Sequence, residues 1–237
     1  MTLLIAVKSC RADLDRGCHD VIRSTWGLAL RGKAMVRFFV GHTASDYFMA
    51  HPKADARTFS NDEVVADAPD DYQSLPHKTR AICGWAITKN VSHVFLCDND
   101  TYVNAAKLLS CGYEGYDYVG KIDKPLGETF PYDAVDRNGI MEHIPFCYPW
   151  ASGGFGYFLS RNAAFEVADS YPKTWAEDLW VGQVLGREIA KGNMSARSLP
   201  AGNYSLHFPS AQFKQGYDPK LNWMQEMHAK TTWDNLV

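Results

Sequence analysis

The chain has 237 residues, a formal net charge of −3 and 46% hydrophobic residues. That length can bury a sizeable core, as one large domain or two small ones, and a near-neutral charge gives no electrostatic case for nucleic acid as the main partner. The six cysteines are scattered without a CxxC pair, so mostly reduced, partly buried thiols are predicted rather than a zinc site or a disulfide framework.

Residues 3–7 form an apolar run too short for a membrane span or signal peptide. They read as a first buried strand, and the chain as written is predicted to be soluble and cytoplasmic, with no integral membrane segment. A loop, Lys8-Ser9-Cys10-Arg11, follows. Residues 13–26 carry Leu14, Cys18, Val21, Ile22 and Trp26 at near-helical spacing. Residues 35–40 predict a second strand, and the acid-rich residues 59–71 a short edge strand with a solvated loop. Residues 72–90 predict a helix after Pro76, with Thr79, Ile82, Cys83, Ala86 and Ile87 on one face.

The stretch Val94-Phe95-Leu96-Cys97-Asp98-Asn99-Asp100-Thr101-Tyr102-Val103 is the most informative. An apolar run bounded by polar residues predicts a buried strand, and carboxylates at its carboxyl end stand where open α/β sheets bind ligands. Asp98 and Asp100 can reach one hard divalent cation, Mn2+ or Mg2+, of the kind held by one or two carboxylates plus substrate phosphates. Asp-x-Asp alone is a weak pattern, most instances being solvated turn residues or helix caps.

A helix near residues 104–110 and a strand over 116–121 come next. Strands alternating with helices predict an α/β fold with a largely parallel sheet. Residues 122–146, rich in Pro, Gly and charge, predict a long loop with short strands, either a binding loop or a floppy insertion. The glycines of Ser152-Gly153-Gly154-Phe155-Gly156-Tyr157 either let the backbone approach a ligand or mark a bend. A helix over 161–170 is predicted to bury Ala164, Phe165 and Ala168. In Trp175-Ala176-Glu177-Asp178 an acidic pair opens another helix; the acids fit simple helix-start electrostatics, and a carboxylate there with apolar neighbours also makes a competent general base. Residues 204–208 predict a short strand carrying His207, by itself the kind of lone histidine that is more often structural than a ligand. The tail from residue 216 reads as a docked amphipathic segment or a partner surface.

Taken in order, these motifs resemble the inverting β-1,3-glycosyltransferases of family 31, of the Fringe and core 1 galactosyltransferase type. Ile5-Ala6-Val7-Lys8-Ser9 is similar to the family's first strand, and Arg23-Ser24-Thr25-Trp26-Gly27 to its R-x-T-W-G signature. Residues 75–79 (LPHKT) resemble its Leu-x-x-Lys-Thr element, and residues 98–103 its D-D-D-x-Y-V motif. Tyr118-Val119-Gly120-Lys121, the glycine run and Glu177-Asp178-x-x-x-Gly182 follow in register. The resemblance spans roughly residues 3–210.

The resemblance implies a GT-A glycosyltransferase fold, a single Rossmann-like nucleotide-sugar-binding domain over 1–237. Residues 1–121 would be the nucleotide-sugar half, 122–215 the acceptor and catalytic half, and 216–237 a C-terminal tail. It implies a UDP-sugar donor, a glycan acceptor and Mn2+ or Mg2+. Asp100 would be the main metal ligand with Asp98 nearby and His207 second, and Asp178 the catalytic base. Ser9, Arg11, Arg23, Lys78, Asp98, Asn99 and Asp100 would surround the donor, and Trp150, Gly153, Gly154, Trp175 and Glu177 the acceptor. Asn99 departs from the family's middle acid. The family's Golgi anchor and disulfides have no counterpart in these residues, which points to a microbial or viral enzyme in a cytosolic setting. Two other readings stand beside this one: an inactive sugar-binding module on the same fold, and a sugar nucleotidyltransferase, which lacks its usual Gly-rich basic loop here.

Overall fold

The computed structural model describes residues 2–43, 60–135, 139, 141–200, 202–208 and 219–234. Among these, seven strands form a central sheet in the order β10-β6-β9-β4-β1-β2-β3. They are β1 (Leu3–Lys8), β2 (Met35–His42), β3 (Glu63–Pro69), β4 (His93–Asp98), β6 (Tyr118–Gly120), β9 (Tyr157–Ser160) and β10 (Ala196–Ser198). The pairings are parallel except the two that β9 makes with β4 and β6. The expected α/β fold with a mostly parallel sheet is thus present.

Both faces of the sheet are covered, which is why its central strands are apolar throughout rather than alternating. Leu4 and Ala6 of β1, with Val94 and Leu96 of β4, enter one core; α4 (Leu75–Thr88), α6 (Arg161–Asp169) and α7 (Glu177–Ala190) close it. Leu3, Ile5 and Val7, with Phe95 and Cys97, enter the other, beneath Ile22, Trp26, Leu108 and Met224.

Several predicted elements differ in detail. Residues 13–26 are not one helix: α1 (Arg11–Asp15), α2 (Cys18–Ser24) and α3 (Trp26–Ala29) are broken at Gly17, which has a φ of 85°, and at Thr25. Helix α4 starts at Leu75, with Pro76 inside its first turn, where a missing N–H costs nothing. On α6, Ala164 is buried and Ala168 packs against the core as predicted, but Phe165 is 56% exposed and Ala163 and Val167 complete the buried face. The short strands predicted within 122–146 are present as a hairpin, β7 (Phe130–Val135) with β8 (Met141–Cys147), packed on Leu179 at the start of α7. In the tail, α8 (Pro219–Asp234) docks through buried Met224; Phe59, residues 216–218 and the Trp233 side chain lie outside the described residues.

All six cysteines are free thiols, four of them buried. Among the described residues no helix is long and apolar enough to cross a membrane.

Candidate active site

Three segments distant in sequence meet where β1 and β4 end. Strand β1 has its sequential successors β2 and β3 on one side and β4 on the other, the switch point at which open α/β sheets bind ligands. After Asp98 the chain turns through Asn99 and Asp100 into β5 (Thr101–Val103), which pairs antiparallel with β11 (Ser205–His207) and sets His207 opposite Thr101. The Phe208 N–H donates to the Asp100 carbonyl over 3.3 Å. The glycine turn is fastened to both strands: Thr101 Oγ1 donates to the Gly154 carbonyl over 2.9 Å, and the Ser205 hydroxyl donates to that of Phe155. Gly156 follows at a φ of 73°, with Leu96 O and the Phe95 ring where a Cβ would stand.

This stitching leaves His207 Nδ1 3.7 Å from Asp100 Oδ1. That is too long for a direct hydrogen bond and suits two donors to one ion. Asp98 does not complete a trio, because its Oδ1 lies 3.3 Å from the buried Lys8 ammonium. Among the described residues no three His, Cys, Asp or Glu side chains form a full metal cage. One carboxylate and one imidazole on a cavity wall nevertheless fit an ion that draws the rest of its shell from phosphates and water.

Two cavities adjoin at this place. One, of about 470 Å³, is lined by Ser9, Asp13, Asp70, Lys78, Asn99 and Asp100. The other, of about 350 Å³, is lined by Trp150, Gly153, Gly154, Trp175, Glu177 and Asp178. Lys8, Tyr72, Leu75, Asp98 and His207 line both. Of the predicted donor-side residues, Ser9, Lys78, Asn99 and Asp100 line the larger cavity and Asp98 lines both, whereas the predicted acceptor-side residues line the smaller one.

A family model described as galactosyltransferase matches residues 18–191. The chain belongs to the galactosyltransferase family. It is 26% identical over 207 residues to an acetylgalactosaminyl-O-glycosyl-glycoprotein beta-1,3-N-acetylglucosaminyltransferase of Mus musculus, covering 77% of this chain and 51% of that one. The chain thus spans about half the length of this curated relative. Among solved structures, a 4-diphosphocytidyl-2C-methyl-D-erythritol synthase from Anaerococcus prevotii is similar with a TM-score of 0.47 and 8% identity, over 95% of this chain and 97% of that one. The A197 protein of STIV is similar with a TM-score of 0.42 and 11% identity, over 89% and 87%. Both are too distant to bear on the chemistry.

In this galactosyltransferase-family chain, Asp178 sits in the first turn of α7 and accepts from the Gly153 N–H over 3.0 Å and the Leu179 N–H over 2.8 Å. Burial, reinforced by the neighbouring Glu177 charge, pushes its pKa above the usual carboxylate value despite those two donors and Lys8. Glu177 lines the smaller cavity, but its carboxylate turns to internal partners. Its carboxylate is buried and accepts from Lys8 Nζ over 2.9 Å, from Thr79 Oγ1 over 2.7 Å and from the Tyr157 hydroxyl. With three internal donors on two oxygens, it anchors the site. Burial alone would depress the Lys8 pKa, but Asp98 and Glu177 hold the ammonium well above its usual value.

Other expected residues separate likewise. Lys78 lines the larger cavity, but its ammonium is held by the Ser9 carbonyl at 2.6 Å and Asp70 at 3.2 Å. Arg11 gives its backbone N–H to Asp70 over 2.7 Å and its Nε to the Gly41 carbonyl over 3.2 Å. Arg23 is not brought to either cavity, because Asp20, Asp62 and Glu63 engage its guanidinium. Asn99 turns inward and donates to Asp13 over 2.6 Å and Ser9 over 3.1 Å; an acid there would oppose Asp13, which accounts for the missing middle carboxylate. Trp150 packs against Phe130 and Tyr132, and Trp175 against Tyr72. Sequence reasoning missed Lys8 as a site residue. A lysine closing an apolar strand was the available signal, and its register opposite Asp98 supplies the rest.

Proposed function

We propose that this chain is a metal-dependent inverting glycosyltransferase that moves a sugar from a UDP-sugar to a hydroxyl of a glycan acceptor. The observation that carries this reading is the pair of adjoining chambers. Asp100 and His207 face the larger, and the buried base Asp178 lies in the smaller, beyond their common wall. Such a separation suits a direct displacement, in which the acceptor oxygen attacks the donor's anomeric carbon from the face opposite the departing diphosphate.

Asp100 and His207 would hold the ion, a Mn2+ or Mg2+. When bound, the ion neutralises the two phosphates and stabilises the departing nucleoside diphosphate. Trp150 and Trp175 offer apolar surfaces to the C–H faces of an acceptor sugar. Asp178 takes the proton from the acceptor hydroxyl as that oxygen attacks. The name of the mouse relative makes UDP-N-acetylglucosamine and a β-1,3 linkage the first to try, and the family's name makes UDP-galactose the second.

The test is thermal unfolding against a panel of nucleotide sugars with and without Mn2+, followed by transfer to glycan acceptors. At a hundredfold excess over Kd the donor should stabilise the fold by about 2.7 kcal/mol, or about 5–10 °C for a chain of this size. No shift with any donor, in either metal condition, would sink the proposal. An inactive sugar-binding module would bind donor or glycan without product.

Gly154 provides a sharper check on the metal ligands. A Cβ there would lie 2.8 Å from two atoms of the His207 ring, so Gly154→Ala should push the imidazole off its place beside Asp100. The Mn2+ concentration for half-maximal activity should rise at least about tenfold, the usual scale for disturbing a metal ligand's support. An unchanged Mn2+ titration would remove His207 from the ligand set.

A further inference from the structure

His19 is wholly buried and nothing in the mechanism above uses it. Its ring stacks on Phe38 with centroids 4.3 Å apart. Nδ1 lies 2.9 Å from Glu63 Oε1, and Nε2 lies 2.8 Å from Ser9 Oγ. Glu63 is fastened in turn by Arg23 at 2.7 Å and by the Ser60 N–H at 2.9 Å. Ser9 lines the larger cavity. Hydroxyl, imidazole and carboxylate thus stand in one chain from the cavity to the sheet edge.

The proton positions follow from the donor and acceptor inventory. An ionised carboxylate only accepts, so His19 Nδ1 carries the proton toward Glu63. Burial opposes the charged form of Glu63, but His19, the Ser60 N–H and Arg23 outweigh it and keep the group ionised; burial keeps His19 neutral. Nε2 then offers a lone pair and takes the Ser9 hydroxyl proton, at 2.8 Å rather than the 3.5 Å to the Cys10 carbonyl. Asn99 Nδ2 donates to the same oxygen. One lone pair of Ser9 Oγ is left.

Resting on the donor-cavity reading, we infer that His19 and Glu63 are positioning residues that fix the Ser9 hydroxyl as a hydrogen-bond acceptor, so that this part of the cavity receives an N–H or O–H donor of the nucleoside. Asp71, whose Oδ1 accepts the Ser74 N–H, lines the same cavity and adds a further acceptor. Arg23 thereby acts on the cavity at two removes, as the clamp on Glu63. Similar relays activate nucleophilic serines, but here Asn99 already occupies a lone pair of the oxygen, and the Asp100–His207 pair of the same cavity lies elsewhere on its wall.

The test is calorimetric binding of UDP with Mn2+ to the wild type, Ser9→Ala, Glu63→Gln and the double variant. Glu63→Gln keeps the size of the side chain but can donate to Nδ1, which moves the histidine proton to Nε2 and reverses the Ser9 hydroxyl. Each single variant should weaken UDP binding by about tenfold, and the double variant should bind no worse than Ser9→Ala. Losses that multiply would assign Glu63 a structural role and overturn the inference. So would a wild type that binds UDP as Glu63→Gln does, while leaving the donor reading intact. A wild type that binds no UDP removes both. Nitrogen-15 NMR of the wild type gives a readout that needs no variant: His19 should be neutral with its proton on Nδ1, and any other form overturns the inference. With 2′-deoxy-UDP, a Ser9→Ala effect that vanishes assigns the contact to the 2′-hydroxyl, and one that persists assigns it to the base N–H or the 3′-hydroxyl.

Discussion

Asp178→Asn should lower the transfer rate by between about a hundredfold and ten-thousandfold, the range a positioned general base supplies, while UDP binding stays close to that of the wild type. The two effects separate because Asp178 lines the smaller cavity, whereas Asp100, Ser9 and Asp70 line the larger. An amide cannot accept the acceptor's proton, but it nearly matches the carboxylate in volume, so the fold should persist. The pH profile gives a second readout. Asp178 must be ionised to act, and burial together with the Glu177 charge raises its pKa. Activity should therefore be present above that raised value and be lost as pH falls through it, with the acidic limb lying above the ordinary aspartate value of about 3.9. Single-turnover rates across pH check this. A variant with near wild-type turnover, or an acidic limb at the ordinary value, would withdraw the base assignment.

Lys8→Met should produce the largest loss of stability from a single site residue. The Lys8 and Glu177 side chains are 1% and 6% exposed and meet at 2.9 Å. Removing Lys8 leaves a buried carboxylate with two hydroxyl donors and no paired cation, at a cost of about 3–5 kcal/mol. For a chain of this length that is a fall of about 6–20 °C in Tm. Lys8→Met combined with Glu177→Gln removes both charges and should recover much of the loss, since the penalty belongs to the stranded charge rather than to a missing attraction. The contribution should hold across neutral pH. The folded-state pKa of Lys8 is raised, so its contribution is fully present below the unfolded lysine value of about 10.4 and fades only above it. A Tm within a degree or two of wild type for the single variant would show that the pair is not closed off from water.

The two experiments probe opposite uses of one acidic pair. Glu177 and Asp178 are adjacent, yet the helix start turns the first inward onto Lys8, Thr79 and Tyr157 and leaves the second at the cavity wall. Both carboxylates were legible as an acid pair opening a helix. Which one is consumed by the core was not, because the deciding partners lie on β1, α4 and β9.

Much of the fold was readable because its signals are local. The runs at residues 3–7 and 94–97 are apolar throughout because both sheet faces are covered, and that property is written in consecutive residues. The same holds for the Asp-x-Asp turn at the end of β4 and for the start of α7 at Glu177. The broken helix over residues 11–29 was less readable, since near-helical spacing of Cys18, Ile22 and Trp26 survives the breaks at Gly17 and Thr25.

By itself, then, the sequence determined an α/β chain with acids at a strand end, a glycine turn and the ordered motifs of the galactosyltransferase family. Periodicity and turn chemistry depend on neighbours along the chain. Only the tertiary structure decided that His207 stands beside Asp100 and that Asp98 is drawn to Lys8. It also decided that Arg23 serves Glu63 rather than the cavity, and that Asn99 donates to Asp13 and Ser9. Each of these depends on strand register and on which charges lose water together, and both are settled by residues that meet only when the chain is packed.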